Sequence, residues 1–330
     1  MGDSSSNLFN GPVRQGNNLV SLLVAGASPK MLIMGVASVA AGTAAAALRG
    51  NLEILPATMC LIFALLFQIA GTYWHIYVEN RRVCNTRYID DAVEDDAGQE
   101  LSRTNVLREA AFAFLILDAM VGLALLVMSG LWSLVVGCVL ALVVYITFGG
   151  SRPLSRSPWG IICTFLLFGP VGVMGTCMVQ SGQEASSLLT YYDIEPALYI
   201  SVVMGLMAVN CNIVHNIASL DVDRAMGRRT LPMVAGERLI RTLFVANGIV
   251  WTAIMACLAL VQNFNIWEMM IVPVLALGVN SWLSLKLPEA REKGTGLQLA
   301  ANLNMLFLAL AMLVVALIDG AADDSARFIF

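Results

Sequence analysis

Nine stretches of the chain are almost uninterruptedly apolar, over residues 31–48, 55–78, 108–129, 131–148, 160–179, 196–218, 239–261, 266–285 and 297–318. Each is close to the ~20 residues that a helix needs to cross the hydrocarbon of a bilayer. None alternates apolar and polar residues with the period of two that a barrel strand requires. The pattern predicts an all-α polytopic membrane protein of about nine spanning helices. It leaves a polar tail at 1–27, a spanning domain at 28–318 and a short tail at 319–330. Two connections stand out, a long charged loop at 79–107 and a basic loop at 219–238.

Polar residues interrupt two of the runs at helical spacing. Gln68, Thr72, His75 and Glu79 fall at i, i+4, i+7 and i+11, and so do Asn212, Asn216, Ser219 and Asp223. That spacing puts each set on one face of its helix. Both stripes end on a carboxylate where the apolar run ends. Two readings stay open: side chains that tie membrane helices together, or the wall of a polar cavity at one membrane face.

Composition agrees with the pattern, because 58% hydrophobic against 13% charged residues in 330 is too little polar surface for a soluble domain. Charge then assigns a side. Of the 19 Lys and Arg, all but Arg49 and Arg327 lie on one face of a nine-helix arrangement. The positive-inside rule places that face, the N-terminus and both stripe ends in the cytoplasm of a cell-membrane protein. The net charge of −4 adds little, and no nucleic-acid partner is expected. The seven cysteines show no C-x-x-C spacing and read as small core hydrophobes.

The chemistry concentrates at the exit of the sixth run. Asp221, Asp223, Arg224, Arg228 and Arg229 fall within nine residues. Carboxylates can hold Mg²⁺ and guanidinium groups suit non-bridging phosphate oxygens, which makes a diphosphate site. Gly149-Gly150-Ser151-Arg152-Pro153-Leu154 is a second candidate for an anion, through backbone N–H groups and Arg152. The acidic block Asp90–Glu100 reads as a solvated loop or surface helix, and its i, i+4 carboxylate pairs as a weaker candidate for a divalent cation. Asp118 is a rare intramembrane carboxylate, whereas Asn247, Glu268, Asn280 and Asn302 read as packing contacts.

Taken in order along the chain, these residues resemble the UbiA superfamily of membrane prenyltransferases, and within it the MenA-like 1,4-dihydroxy-2-naphthoate polyprenyltransferases. Pro29-Lys30, Gln68-Ile69, Gly149–Leu154, Phe168-Gly169-Pro170-Val171, Gly175-Thr176 and above all Asp223-Arg224-Ala225-Met226-Gly227-Arg228-Arg229-Thr230-Leu231 carry the likeness. The resemblance implies a nine-helix bundle around a central cavity, with two Asp-rich motifs that hold Mg²⁺ and, through it, the diphosphate of a polyprenyl donor. By position Glu79 matches the second Asp of N-D-x-x-D and Asp223 the second Asp of D-x-x-x-D. Asn216 matches a motif asparagine, and Arg224 and Arg228 match basic positions.

The chain departs from that pattern where metal is held. His75-Ile76 stands in place of Asn-Asp, Asn85 in place of a further Asp, and Ser219 in place of the second motif's first Asp. Neither Ile nor Ser offers the anionic oxygen that Mg²⁺ prefers. The resemblance then implies Glu79, Asp223 and, if the helix unwinds there, Asp221 as metal ligands. Arg152, Asn212, Asn216, Ser219, Arg224, Arg228 and Arg229 are the expected diphosphate-facing residues, and His75, Glu79 and Asp223 the catalytic ones. The expected reaction moves a polyprenyl group from its diphosphate to an aromatic acceptor such as a hydroxynaphthoate or hydroxybenzoate. The competing expectation is a catalytically degenerate homologue that binds an isoprenoid or quinone, beside an active paralogue.

Overall fold

The apolar runs fold as helices, and several continue past the point where the apolar pattern stops. In the computed structural model the backbone is described for residues 23, 27–90, 94–148, 154–182, 191–225, 227–262 and 266–327. Side chains are described for these residues except 29, 82–90, 94–104, 148, 191–194, 266–268 and 320–327. Among the described residues there is no strand.

Helices α1 (Pro29–Ala47), α2 (Ile54–Asp90), α3 (Glu94–Ser129) and α4 (Leu131–Phe148) come first. The expected loop at 79–107 is therefore largely helical, since α2 runs eleven residues past Glu79 and only 91–93 separate it from α3. No Gly or Pro occurs between Gly71 and Gly98, so nothing in the backbone stops α2 when its side chains turn from apolar to charged. Gly130, at φ 69°, does stop α3 and turns the chain into α4.

The fifth apolar run is one span of three pieces, α5 (Gly160–Leu166), a π-helical segment (Leu167–Met174) and α6 (Gly175–Gln180). Pro170 sits within the wide turn, where its missing N–H removes one rung of the ladder. Then come α7 (Tyr191–Ala218), α8 (Leu220–Ala225), α9 (Leu231–Val261), α10 (Ile266–Lys286) and α11 (Ala290–Arg327). Among the described residues, seven helical stretches are long and apolar enough to cross a membrane. One of them, Met269–Asp319, holds both α10 and most of α11, divided by a 3₁₀ turn at Leu287–Glu289. With the shorter apolar helix at Leu131–Thr147, the described residues supply the nine segments the pattern predicts. The chain is a multi-pass membrane protein.

The chain divides into two compact units. The first comprises residues 1–32 and 62–123. Tyr73, Leu107 and Ala111 form its buried core, with Ile69, Ile76 and Phe114 packed against them. The first stripe begins as packing glue there, because Gln68 Nε2 donates to Met31 O of α1 at 2.6 Å, while the Thr72 hydroxyl turns back to Gln68 O of its own helix at 2.8 Å. Asp118 is buried in this unit.

The second unit comprises residues 33–61 and 124–330, and α7 runs through its middle against α9, α11 and the π-helical segment. Ile200, Met204 and Ile213 of α7 are fully buried, as are Phe244 and Trp251 of α9 and Leu308 of α11. Small residues set the spacing. A Cβ on Gly169 would lie 2.9 Å from Gly205 Cα, so only glycine lets these two backbones meet. Ser38 Oγ donates to Phe168 O at 2.7 Å, to a carbonyl beside the π-helical turn, and so ties α1 to it. Cys60, Cys163, Cys177 and Cys211 are buried as expected, whereas Cys138 and Cys257 are exposed on apolar helices.

Candidate functional site

The exit of α7 is built so that its polar stripe survives the end of the helix. α7 ends at Ala218 and α8 begins at Leu220, but the ladder runs on between them, since Ser219 N donates to His215 O at 3.0 Å and Asp223 N donates to Ser219 O at 2.8 Å. Asp223 therefore stays in register on α8 and is buried. Gly227 then takes φ 64°, a left-handed conformation that ends the helix. Its N–H donates to Arg224 O at 3.2 Å, and Arg228 N donates to Asp223 O at 2.9 Å. These are the two crossed bonds of a Schellman closure, which satisfy carbonyls that a helix end leaves open.

The closure brings Arg228 back onto Asp223 a second time, through its side chain. Arg228 Nη1 donates to Asp223 Oδ1 at 2.9 Å, and Ser219 Oγ donates to Oδ2 at 2.9 Å. Both oxygens of the buried carboxylate are thus occupied. The next residue, Arg229, donates its N–H to Arg156 O at 3.0 Å, which draws the 3₁₀ turn at Leu154–Arg156 to the same place. Arg224 and Arg229 have exposed side chains.

Asp221 points elsewhere, as its offset from Asp223 dictates. Arg291, on the first turn of α11, grips it with two donors, Nε to Oδ2 at 2.8 Å and Nη2 to Oδ1. The Arg291 guanidinium holds the Asp221 carboxyl below its ordinary 3.8. Arg224 adds a looser contact at 4.0 Å. Behind this pair a Cβ on Gly294 would collide with Ala218, so α11 starts in direct contact with the end of α7.

Of the other expected site residues, Asn212 donates to the Thr164 hydroxyl of α5 and so acts in helix packing, while Asn216 is half-buried. Arg152 lies outside the described residues. In the first unit Glu79 is buried, His75 is half-buried, and both engage partners. On the same turns Arg81 Nη1 donates to the Tyr77 hydroxyl at 2.9 Å, and Arg108 lies over the Tyr77 ring at 5.9 Å.

Four residues that the sequence did not single out join the cluster. Arg156 meets Arg229, Arg291 holds Asp221, and His215 shares a hydrogen bond with Gln298 of α11 in the field of Asp223 and Arg228. Only His215 had a signal in the sequence, for it precedes Ser219 and Asp223 by four and eight residues. Arg291 and Gln298 lie about seventy residues or more away along the chain, where no local pattern links them to the site.

A magnesium ion needs free anionic oxygens. Every carboxylate oxygen of this segment already accepts from a neighbour: Asp223 from Arg228 and Ser219, and Asp221 from Arg291. Among the described residues no three His, Cys, Asp or Glu side chains come together as a metal cage. What the segment does present is guanidinium charge beside an apolar helix core.

Comparison with known proteins agrees with this architecture. The UbiA prenyltransferase family matches residues 34–308. A 1,4-dihydroxy-2-naphthoate octaprenyltransferase of Mycobacterium tuberculosis (strain ATCC 25618 / H37Rv) is 27% identical over 223 residues, 67% of this chain and 72% of that protein. The enzyme of the same name from Mycobacterium leprae (strain TN) is 26% identical over 239 residues, 70% of this chain and 76% of its own length. The apo structure of a UbiA homolog from Aeropyrum pernix K1 superposes with a TM-score of 0.62 at 14% identity, covering 83% of this chain and 95% of that one. With most of its length matched, the chain belongs to the UbiA prenyltransferase family.

Proposed function

We propose that this protein transfers a polyprenyl group from its diphosphate to an aromatic ring of the hydroxynaphthoate or hydroxybenzoate type, at the cytoplasmic face of the cell membrane. The family membership and the names of the relatives at about a quarter identity support the reaction class. The observation that carries the reading to particular residues is the closed turn at 223–229. It fixes Arg228 on a buried aspartate and leaves Arg224 and Arg229 exposed on either side of it.

In this reading the arginines receive the leaving group. The allylic C–O bond breaks with its electron pair going to the diphosphate, and positive charge already in place stabilises the anion as it forms. The allylic carbon then bonds to a ring carbon of the acceptor, and the ring loses the proton from that carbon. A general base takes that proton. The apolar spans keep water from the allylic cation.

Purified protein incubated with polyprenyl diphosphates of several lengths and 1,4-dihydroxy-2-naphthoate or 4-hydroxybenzoate tests this directly. Prenylated ring and released diphosphate in equal amounts are expected, and absence of product with every pair overturns the reading. One observation favours a second reading, an isoprenoid- or quinone-binding homologue without turnover: Asp223, the one acid left at a position of the second motif, and its neighbour Asp221 are both spent on arginines. Donor or quinone binding without product in the same preparation selects it.

A further inference from the structure

We infer that the 219–229 segment holds the donor's diphosphate by guanidinium charge alone, with no bridging divalent cation; this rests on the reading that the segment is the diphosphate site. The family pattern puts acids here to bind metal. In this chain the acids have been turned to another use. Asp223 anchors Arg228 from below, with Ser219 contributing its hydroxyl hydrogen to the same carboxylate. Asp221 anchors Arg291 from the side. Each carboxylate therefore positions a cation, and an incoming Mg²⁺ would meet oxygens that already hold a guanidinium.

Charge points the same way. Arg228 pairs with Asp223, Arg291 and Arg224 with Asp221, and Arg229 stands exposed beside them, so four guanidinium groups around this turn meet two carboxylates and positive charge is in surplus. A field of that sign repels a divalent cation and attracts a diphosphate ester. Planar guanidinium groups bind non-bridging phosphate oxygens in pairs, a role that a metal otherwise fills as a point charge. Serine in place of the motif's first aspartate fits the change: a second acid beside Asp223 would repel it, whereas a hydroxyl donates to it.

Binding of farnesyl thiodiphosphate, which resists ionisation of its ester bond, to the full-length protein in detergent separates the alternatives. With EDTA and with Mg²⁺ the Kd is expected to agree within twofold. Arg224→Gln/Arg229→Gln should weaken it at least tenfold in both buffers, and Arg224→Lys/Arg229→Lys should recover part of the loss. Both side chains are exposed, so the melting temperature of the double variant serves as the control for folding. Binding that appears only with Mg²⁺, or tightens tenfold or more on adding it, overturns the inference and leaves the diphosphate site standing. A double variant that binds like the parent also overturns it. No binding in either buffer removes the underlying reading as well.

Discussion

Asp223 and Asp221 are two residues apart and carry the same charge, yet they stand in opposite situations. Asp223 is buried at 1% exposure and bonded on both oxygens, so removing its charge takes the counter-charge from the partly buried Arg228. Breaking such a pair from one side costs about 3 kcal/mol or more. Asp223→Asn is therefore expected to lower the melting temperature in detergent sharply, whatever it does to activity. Asp221 sits in an exposed pair, and its variant reads out in pH instead. Its carboxyl is held below 3.8 by Arg291, so the pair's contribution is full above that value and is lost as pH falls through the depressed one. Any stability gap between the parent and Asp221→Asn should be present at neutral pH and close only in strong acid. Melting curves across pH check this, and a gap that closes near neutrality contradicts the assignment. The sequence marked both aspartates and Arg228, because a charge beside a membrane span is conspicuous. It did not show that Arg228 would meet Asp223, since that depends on a left-handed turn at Gly227 and not on composition.

Among the elements, two glycines shape the basic connection, and they do so with different backbones. Gly227 is at φ 64°, the left-handed helical region that Asn tolerates and other residues enter at about 1 kcal/mol. Gly236 breaks α9 at φ 76°, ψ 161°, a region that is close to glycine-only and strained by roughly 1–3 kcal/mol for any side chain. Neither position has a neighbouring atom that a Cβ would strike, so the backbone alone decides the effect. Gly236→Ala should therefore destabilise more than Gly227→Ala, and Gly227→Asn should be close to the parent. Thermal unfolding of the three variants measures the order, and equal losses at both sites would contradict it. At this scale the helices were legible and their ends were not. Gly130 and Gly227 do end helices, but α2 passed the end of its apolar run because charged residues propagate a helix as well as apolar ones do.

For the whole molecule, the bilayer makes the count of spans legible and leaves their partners unstated, because a lipid-facing and a helix-facing residue are equally apolar. The exceptions are polar groups deep in the spans, and in the second unit three asparagines show which helices meet. Asn210 of α7 donates to Asn280 Oδ1 of α10 at 2.9 Å and to Phe244 O of α9 at 3.1 Å. Asn247 of α9 donates to Asn210 Oδ1 at 3.1 Å, and Asn280 also donates to Phe244 O at 3.3 Å. Three helices are joined at one point, and Gly248 leaves the room, since a Cβ there would strike the Asn280 amide. Asn210 takes part in three of these four bonds. Asn210→Ala should therefore lose roughly 1–2 kcal/mol, near the upper range for polar contacts between membrane helices. Asn280→Ala should lose less, because Asn210 keeps Phe244 O and Asn247. Once Asn210 is gone, the Asn210–Asn280 bond no longer exists to be lost, so the double variant should fall short of the sum by about 0.5 kcal/mol or more. Unfolding of the four proteins in one detergent measures that difference. Strict additivity would mean that the asparagines act separately and that close packing around Gly169 and Gly205 holds α7 in place.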